Sequence, residues 1–340
     1  VLHLPAHAQH GRPRLLGGRP DRRGRRGAAE ARIIGHHAEL VSDRFLDRIA
    51  AVAKIDVPQA ADGIEQLSEA IEADPIAWLG AEHVTAYGSD PMLLVKLLDA
   101  GQRLPVHAHP DDTFARAMLG SAHGKAEAWY ILEPGAVFLG LRHEVERSTL
   151  ARLVETQDVA QLTSLLNRVE VQPGDSVFVP AGALHAIDEG VLLLEVQQPS
   201  DLSILLEWDG FEIDGRTHGH LGLGFDSALD AVDRSAMEIT ELESLTLRHR
   251  PSAPGDAVSV LPPSADPFFR LERHVAPSET GPGFAIMVIT SGEVNAAGTA
   301  YPAGSTLLLP YGAGAVRFDG NGEFLVARPP RHDARGGTLG

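Results

Sequence analysis

A frame of spaced glycines and a proline occurs twice in this chain, and a repeat of that kind restricts the fold more than any compositional fact. Gly174-Asp-Ser-Val-Phe-Val-Pro180-Ala-Gly182-Ala-Leu-His185 sets a glycine, five residues, a proline, one residue, a glycine, two residues and a histidine. Gly304-Ser-Thr-Leu-Leu-Leu-Pro310-Tyr-Gly312-Ala-Gly-Ala315 keeps the frame 130 residues further on, with alanine in place of the histidine. Each copy reads as an apolar strand, a Pro-Gly turn and another strand. Upstream, Ala128-Trp-Tyr-Ile-Leu-Glu-Pro-Gly135 echoes Ala285-Ile-Met-Val-Ile-Thr-Ser-Gly292 at an offset of 157. The two offsets differ by 27, which predicts an insertion of that length in the first copy between Gly140 and Gly174.

Helical spacing appears in that interval: Leu150, Leu153 and Val154, then Leu162, Leu165, Leu166 and Val169, with Ser148 and Asp158 as caps. The expected fold is mainly β, as two tandem jelly-roll barrels with a helical insertion near 147–169 in the first. The first domain spans 41–240 and the second 241–330. In the second copy Phe284 falls opposite Glu127 and Ala315 opposite His185, so any site that needs those side chains belongs to the first barrel. Residues 1–40 show no sustained periodicity and are expected to be disordered or atypical, with ordinary helical patterning beginning near Leu40.

The formal charge of −17 is uneven: residues 1–48 hold ten Arg against five acids, leaving a body with net charge −22. A surface of that sign repels nucleic acid, and an anionic substrate must be drawn in by a few local cations. Cysteine is absent, which excludes disulfides and thiolate metal sites, leaves nitrogen and oxygen as metal ligands, and suits a reducing cytoplasm. No apolar run approaches the roughly 20 residues of a bilayer span, so a membrane role is not expected. Oligomeric state is not encoded in any pattern here.

His107-Ala-His109 lies on a predicted strand, where alternation points both imidazoles to one face. Glu127 and His185 come from later strands of the same framework. Three neutral imidazoles and one carboxylate make a single divalent-metal site that suits Zn, Mn, Fe or Ni. Pro180 and Gly182 form the turn that aims His185 inward. Glu195 is an acid in the apolar run Val191-Leu-Leu-Leu-Glu-Val, and Lys96 interrupts another, Met92-Leu-Leu-Val-Lys-Leu-Leu. An isolated acid in such a run has its pKa raised by burial, and an unpaired buried ammonium is costly.

These residues resemble the two cupin motifs, and the phrases around them resemble type I mannose-6-phosphate isomerases. The matching phrases are Leu94-Val-Lys-Leu-Leu-Asp-Ala100, His107-Ala-His-Pro-Asp-Asp112, Gly124-Lys-Ala-Glu-Ala-Trp-Tyr130, Pro180-Ala-Gly-Ala-Leu-His-Ala186 and Leu193-Leu-Glu-Val-Gln-Gln-Pro-Ser-Asp201. The resemblance implies a zinc enzyme that interconverts mannose 6-phosphate and fructose 6-phosphate, or acts on a closely related sugar phosphate. It makes His109, Glu127 and His185 zinc ligands, with His107 where the family usually has glutamine. Glu195 and Asp201 stand where the family places carboxylates that could act as the base, and Lys96 and Lys125 stand near the substrate.

One departure bears on substrate. The family places arginine four residues after the aspartate of its Ser-Asp motif, and this chain has Leu205 there. Leucine cannot supply a bidentate donor, which leaves Arg116, Arg142 or Arg216 to serve, or a different sugar to be bound. Two other readings accommodate the same ligand set: a cupin with iron-type oxygen chemistry, and a non-catalytic sugar-phosphate-binding cupin.

Overall fold

The computed structural model describes residues 67–331, together with the backbone of three short strands at Leu2–Leu4, Ala31–Ile33 and Ala38–Leu40. The reading of residues 1–40 as atypical, and the helical patterning from Leu40, otherwise lie outside the described residues. The described chain is mainly β and antiparallel. Its first ten strands are β1 (Leu94–Asp99), β2 (His107–Ala108), β3 (Glu127–Glu133), β4 (Gly135–Leu141), β5 (Leu166–Val171), β6 (Ser176–Val179), β7 (His185–Ile187), β8 (Leu192–Gln197), β9 (Ile204–Leu205) and β10 (Thr246–Leu247). They form two five-stranded sheets, ordered β9-β2-β7-β4-β5 and β10-β6-β3-β8-β1.

Nine further strands follow: β11 (Ala257–Ser259), β12 (Arg270–Val275), β13 (Ser278–Thr280), β14 (Ala285–Ser291), β15 (Glu293–Ala296), β16 (Thr299–Pro302), β17 (Thr306–Leu309), β18 (Val316–Gly320) and β19 (Glu323–Arg328). Here the sheets run β17-β14-β19-β12-β11, with Leu2–Leu4 on the β17 edge, and β13-β18-β15-β16. An apolar cluster joins the two halves, running from Trp129, Ile131 and Leu193 to Phe269, Leu271, Phe284 and Leu325.

The strand pairing corrects the repeat alignment by one residue. Glu127 pairs with Val179, and the equivalent pair in the second half is Ala285 with Leu309. Ala285, not Phe284, therefore stands in the place of Glu127, at an offset of 158. A one-residue slip moves every side chain to the opposite face, and Phe284 accordingly packs into the cluster between the halves while Ala285 faces the second half's own core. Ala315 also falls outside the expected place: it is exposed, one residue before β18.

Between β4 and β5 lie two helices, Arg147–Thr156 and Val159–Ser164. Leu150, Leu153, Val154 and Leu162 turn inward at 1% exposure or less and cover the outer face of the first sheet through Val106, Ala108 and Phe138. Burying each such side chain contributes about 1.5–3 kcal/mol. Asp158 caps the second helix by accepting from the Gln161 N–H. Ser148 is not a cap, because the first helix begins at Arg147 with Glu146 at its N-cap position. Helix also stops at Ser164: Leu166 and Val169 belong to β5, whose alternating buried Val169 and Val171 pair with Val137 and Gly135 on β4. Those apolar positions satisfy a period of 2 as well as one of 3.6, and sheet pairing decides between them.

Candidate metal centre and its surroundings

The inner faces of the first two sheets meet at the histidines. His185 sits directly across from His107 in the β7–β2 pairing, and His109 follows β2 by one residue. Gly182 adopts φ +89°, a conformation open to glycine, and from that turn its N–H donates to the His109 carbonyl at 2.7 Å, tying the two histidine segments together. One potential ligand nitrogen from each of His107, His109 and His185 lies within 4.8 Å of the others. Among the described residues this is the group of three or more side chains able to hold a metal ion.

Every ring is oriented by a backbone carbonyl. Nδ1 of His107 contacts the Pro105 carbonyl at 2.8 Å, Nδ1 of His109 that of Leu202 at 2.7 Å, and Nδ1 of His185 that of Ala183 at 2.9 Å. A carbonyl only accepts, so each Nδ1 carries the proton and each Nε2 presents a lone pair. The Nε2 atoms of His109 and His185 are buried without a hydrogen-bond partner. Glu127, on β3, brings Oε2 to 3.1 Å from the former and Oε1 to 3.3 Å from the latter. Outward hydrogen bonds that fix inward-facing lone pairs are the arrangement a metal-ligating histidine requires, and the donor set fits a divalent ion.

Burial keeps all three imidazoles neutral. It pushes His109 down to about 3, helped by the Lys125 ammonium, and holds His107 well below its ordinary value, helped by the neighbouring histidines. His185 is lowered by burial as well. For Glu127 burial acts upward, but the Lys125 ammonium outweighs it and holds the carboxyl well below the usual range.

Lys125 Nζ lies 3.0 Å from Glu127 Oε2 and 3.7 Å from Glu195 Oε1. Lys96 pairs in register with Glu195 on β8, its Nζ 3.9 Å from Oε1 and 3.0 Å from Asp201 Oδ1. Glu195 is thus no isolated acid among apolar neighbours, as the run of leucines implied, but a carboxylate between two lysines. Asp201 is at the rim, with 36% of its side chain exposed, whereas Glu195 is buried. All eight singled-out residues therefore form one contiguous set. Two others were missed: Trp129, whose Nε1–H donates to Glu127 Oε1 at 3.1 Å and to Glu195 Oε2 at 3.3 Å, and Gln197, directly across from Glu127. Strand alternation from Glu127 and from Glu195 marks both.

Leu205 is directly across from His107 on β9. Arg116, Arg142 and Arg216 are exposed, and Arg116 is engaged by Asp112 and the Ala122 carbonyl.

The arrangement of sheets is that of the phosphomannose isomerases. A mutant phosphomannose isomerase from Salmonella typhimurium superposes with a TM-score of 0.61 at 18% identity, covering 82% of this chain and 88% of that one. A mannose 6-phosphate isomerase structure bound with zinc and yttrium gives 0.59 at 19% identity, covering 78% and 86%. No protein-family model matches the chain. Mannose-6-phosphate isomerase ManA of Bacillus subtilis is 30% identical over 248 residues, which is 69% of this chain and 74% of that protein. The chain belongs to the mannose-6-phosphate isomerase family.

Proposed function

We propose that the chain is a zinc-dependent aldose–ketose isomerase that interconverts mannose 6-phosphate and fructose 6-phosphate, or a closely related sugar phosphate. It works on a small molecule in the cytoplasm, not on nucleic acid or at a membrane; no described helix is long and apolar enough to cross one. The observation that carries this reading is the set of three imidazoles, each oriented through Nδ1, with Nε2 of His109 and of His185 facing Glu127. Family membership and the zinc-bound relative support it. In the same reading the two halves are tandem cupin barrels, 41–240 and 241–330, and the helices at 147–164 are an insertion in the first.

His107, His109, Glu127 and His185 would hold one zinc ion, which when bound supplies Lewis-acid stabilisation of negative charge on a sugar oxygen. The proton transfer between adjacent carbons then falls to a carboxylate. Glu195 is the stronger candidate for base, since it is buried and bordered by both lysines, while Asp201 at the rim orients Lys96. Lys96 and Lys125 place positive charge where an enediol-like oxygen or the phosphate needs it.

The test is to incubate zinc-loaded protein with mannose 6-phosphate and follow fructose 6-phosphate. Turnover well above a His185→Ala control is expected, and none above it overturns the assignment. Leu205 favours a binding-only protein instead; that reading predicts a ligand-dependent thermal shift without turnover. Metal analysis of protein purified without added metal decides against oxygen chemistry if zinc is near one equivalent.

A further inference from the structure

The segment carrying Lys125 precedes β3 and has no ladder of its own, yet all three of its N–H groups are held. Gly124 N–H donates to Asp112 Oδ1 at 2.9 Å, Lys125 N–H to the Pro110 carbonyl at 2.9 Å and Ala126 N–H to Gln198 Oε1 at 2.9 Å. The two side-chain anchors are joined, since Gln198 Nε2 donates to the same Asp112 Oδ1 at 2.8 Å. Gln198 is 1% exposed, and its own N–H donates to the Ala126 carbonyl at 3.1 Å. There is no slack against the histidine loop: a Cβ on Gly124 would meet the Pro110 carbonyl oxygen and the Asp111 carbonyl carbon at 2.4 Å. With both flanking amides fixed, the Lys125 backbone has one place to be, and its ammonium is set between Glu127 and Glu195.

We infer that Asp112 and Gln198 are positioning residues, a clamp that acts on the reaction through Lys125 and not on the sugar; the inference rests on the isomerase reading. Their chemistry is not interchangeable. Oδ1 of Asp112 only accepts, so asparagine can replace it. Gln198 must accept from Ala126 and donate to Asp112, so glutamate cannot, and it would set a second anion beside the first.

With zinc-loaded enzyme, Asp112→Ala and Gln198→Glu are expected to lower kcat on the order of ten- to a hundredfold, with KM and zinc content nearly unchanged, the scale of an ångström-level misplacement. Asp112→Asn should stay close to wild type. In a Lys125→Met background Asp112→Ala should cost nothing further. An equal loss in both backgrounds, loss of zinc, or unchanged kcat in Asp112→Ala overturns the inference. If Asp112→Ala does not fold, the contrast between Asp112→Asn and Gln198→Glu decides, and equal activity of those two refutes it. Amide hydrogen exchange of the metal-free chain gives a readout independent of turnover: Asp112→Asn should keep Gly124 protected, and Gln198→Ala should release Ala126 while Trp129 and Ile131 stay protected. Continued protection of Ala126 in Gln198→Ala refutes the clamp. A wild type without isomerase turnover whose amides respond as expected fails the isomerase reading alone.

Discussion

Replacing Lys125 by methionine keeps an unbranched side chain one atom shorter and removes one buried charge. The ammonium stands 3.0 Å from Glu127 and 3.7 Å from Glu195, and the side chain is 6% exposed. At an effective dielectric of about 20 those separations correspond to about 5.5 and about 4.5 kcal/mol of attraction, most of it offset by the desolvation of the three charges. Breaking one side of such a buried pair costs about 3–5 kcal/mol, because the orphaned charge stays behind. Urea unfolding of chelator-treated protein at pH 7 should show a loss of that size. The pH dependence has a definite sign. Lys125 is the leading cause holding the Glu127 carboxyl below its ordinary range, and a depressed carboxylate contributes stability that is present above its unfolded pKa of about 4.3 and lost as pH falls below it. The gap between wild type and variant should therefore narrow below about pH 4. Zinc should narrow it as well, since a dication beside Glu127 supplies the missing charge and binds more tightly once the ammonium has gone. A loss under about 1 kcal/mol in the metal-free chain, or one that zinc leaves unchanged, refutes this account of the site's electrostatics.

Other outcomes follow from the same geometry. His185→Ala and His109→Ala should each carry less than a tenth of the wild-type zinc by elemental analysis, and full occupancy in either would remove that residue from the ligand set. The metal-free chain should lose stability as pH falls from about 6.5 towards 3, since the three imidazoles have lowered values and the unfolded chain takes up more protons in that window; a flat melting temperature across it contradicts the burial argument. Glu195→Gln should lower kcat by about 10²–10⁴-fold and Asp201→Asn by much less, with the reverse order assigning the base to Asp201. Raising ionic strength from 10 to 150 mM should increase kcat/KM for an anionic sugar phosphate, because salt screens the long-range repulsion of a chain with net charge −17. A fall would mean that local cations dominate the encounter.

How much of this was legible in the sequence depended on the range of the interaction. His107 and His109 were readable because alternation along a strand is a local rule, and His185 because a positive-φ glycine and a proline mark its turn. Lys96 and Glu195 each stood out as a charge in an apolar run, but their pairing is a register across 99 residues that no local pattern encodes. The repeat located a second copy of the framework yet placed Phe284 where the hydrogen-bond ladder puts Ala285. Small and β-branched residues match almost as well one position out, and pairing alone distinguishes the two faces. The clamp on Lys125 was invisible for a similar reason. Asp112 and Gln198 look like ordinary polar residues until the loop after His109 and the end of β8 are brought to the same amides.

The acidity of the body and the anionic substrate proposed for it are reconciled at the scale of the site. Lys96 and Lys125 face Glu127, Glu195 and Asp201, a formal balance of −1 that a divalent ion turns to +1. Only the metal-loaded site is then attractive to a sugar phosphate, and its attraction acts at contact distances, where salt screens little, while the body's repulsion acts beyond a Debye length of about 10 Å. Leu205, directly across from His107, offers no positive charge to a phosphate. In the proposed reaction the phosphate is left to Lys96, which Asp201 and Glu195 already engage, while Lys125 between Glu127 and Glu195 serves the developing oxygen. Binding in that reading exchanges the carboxylate partners of Lys96 for the substrate, so the energy of phosphate recognition is coupled to releasing Glu195, the carboxylate proposed to take the proton.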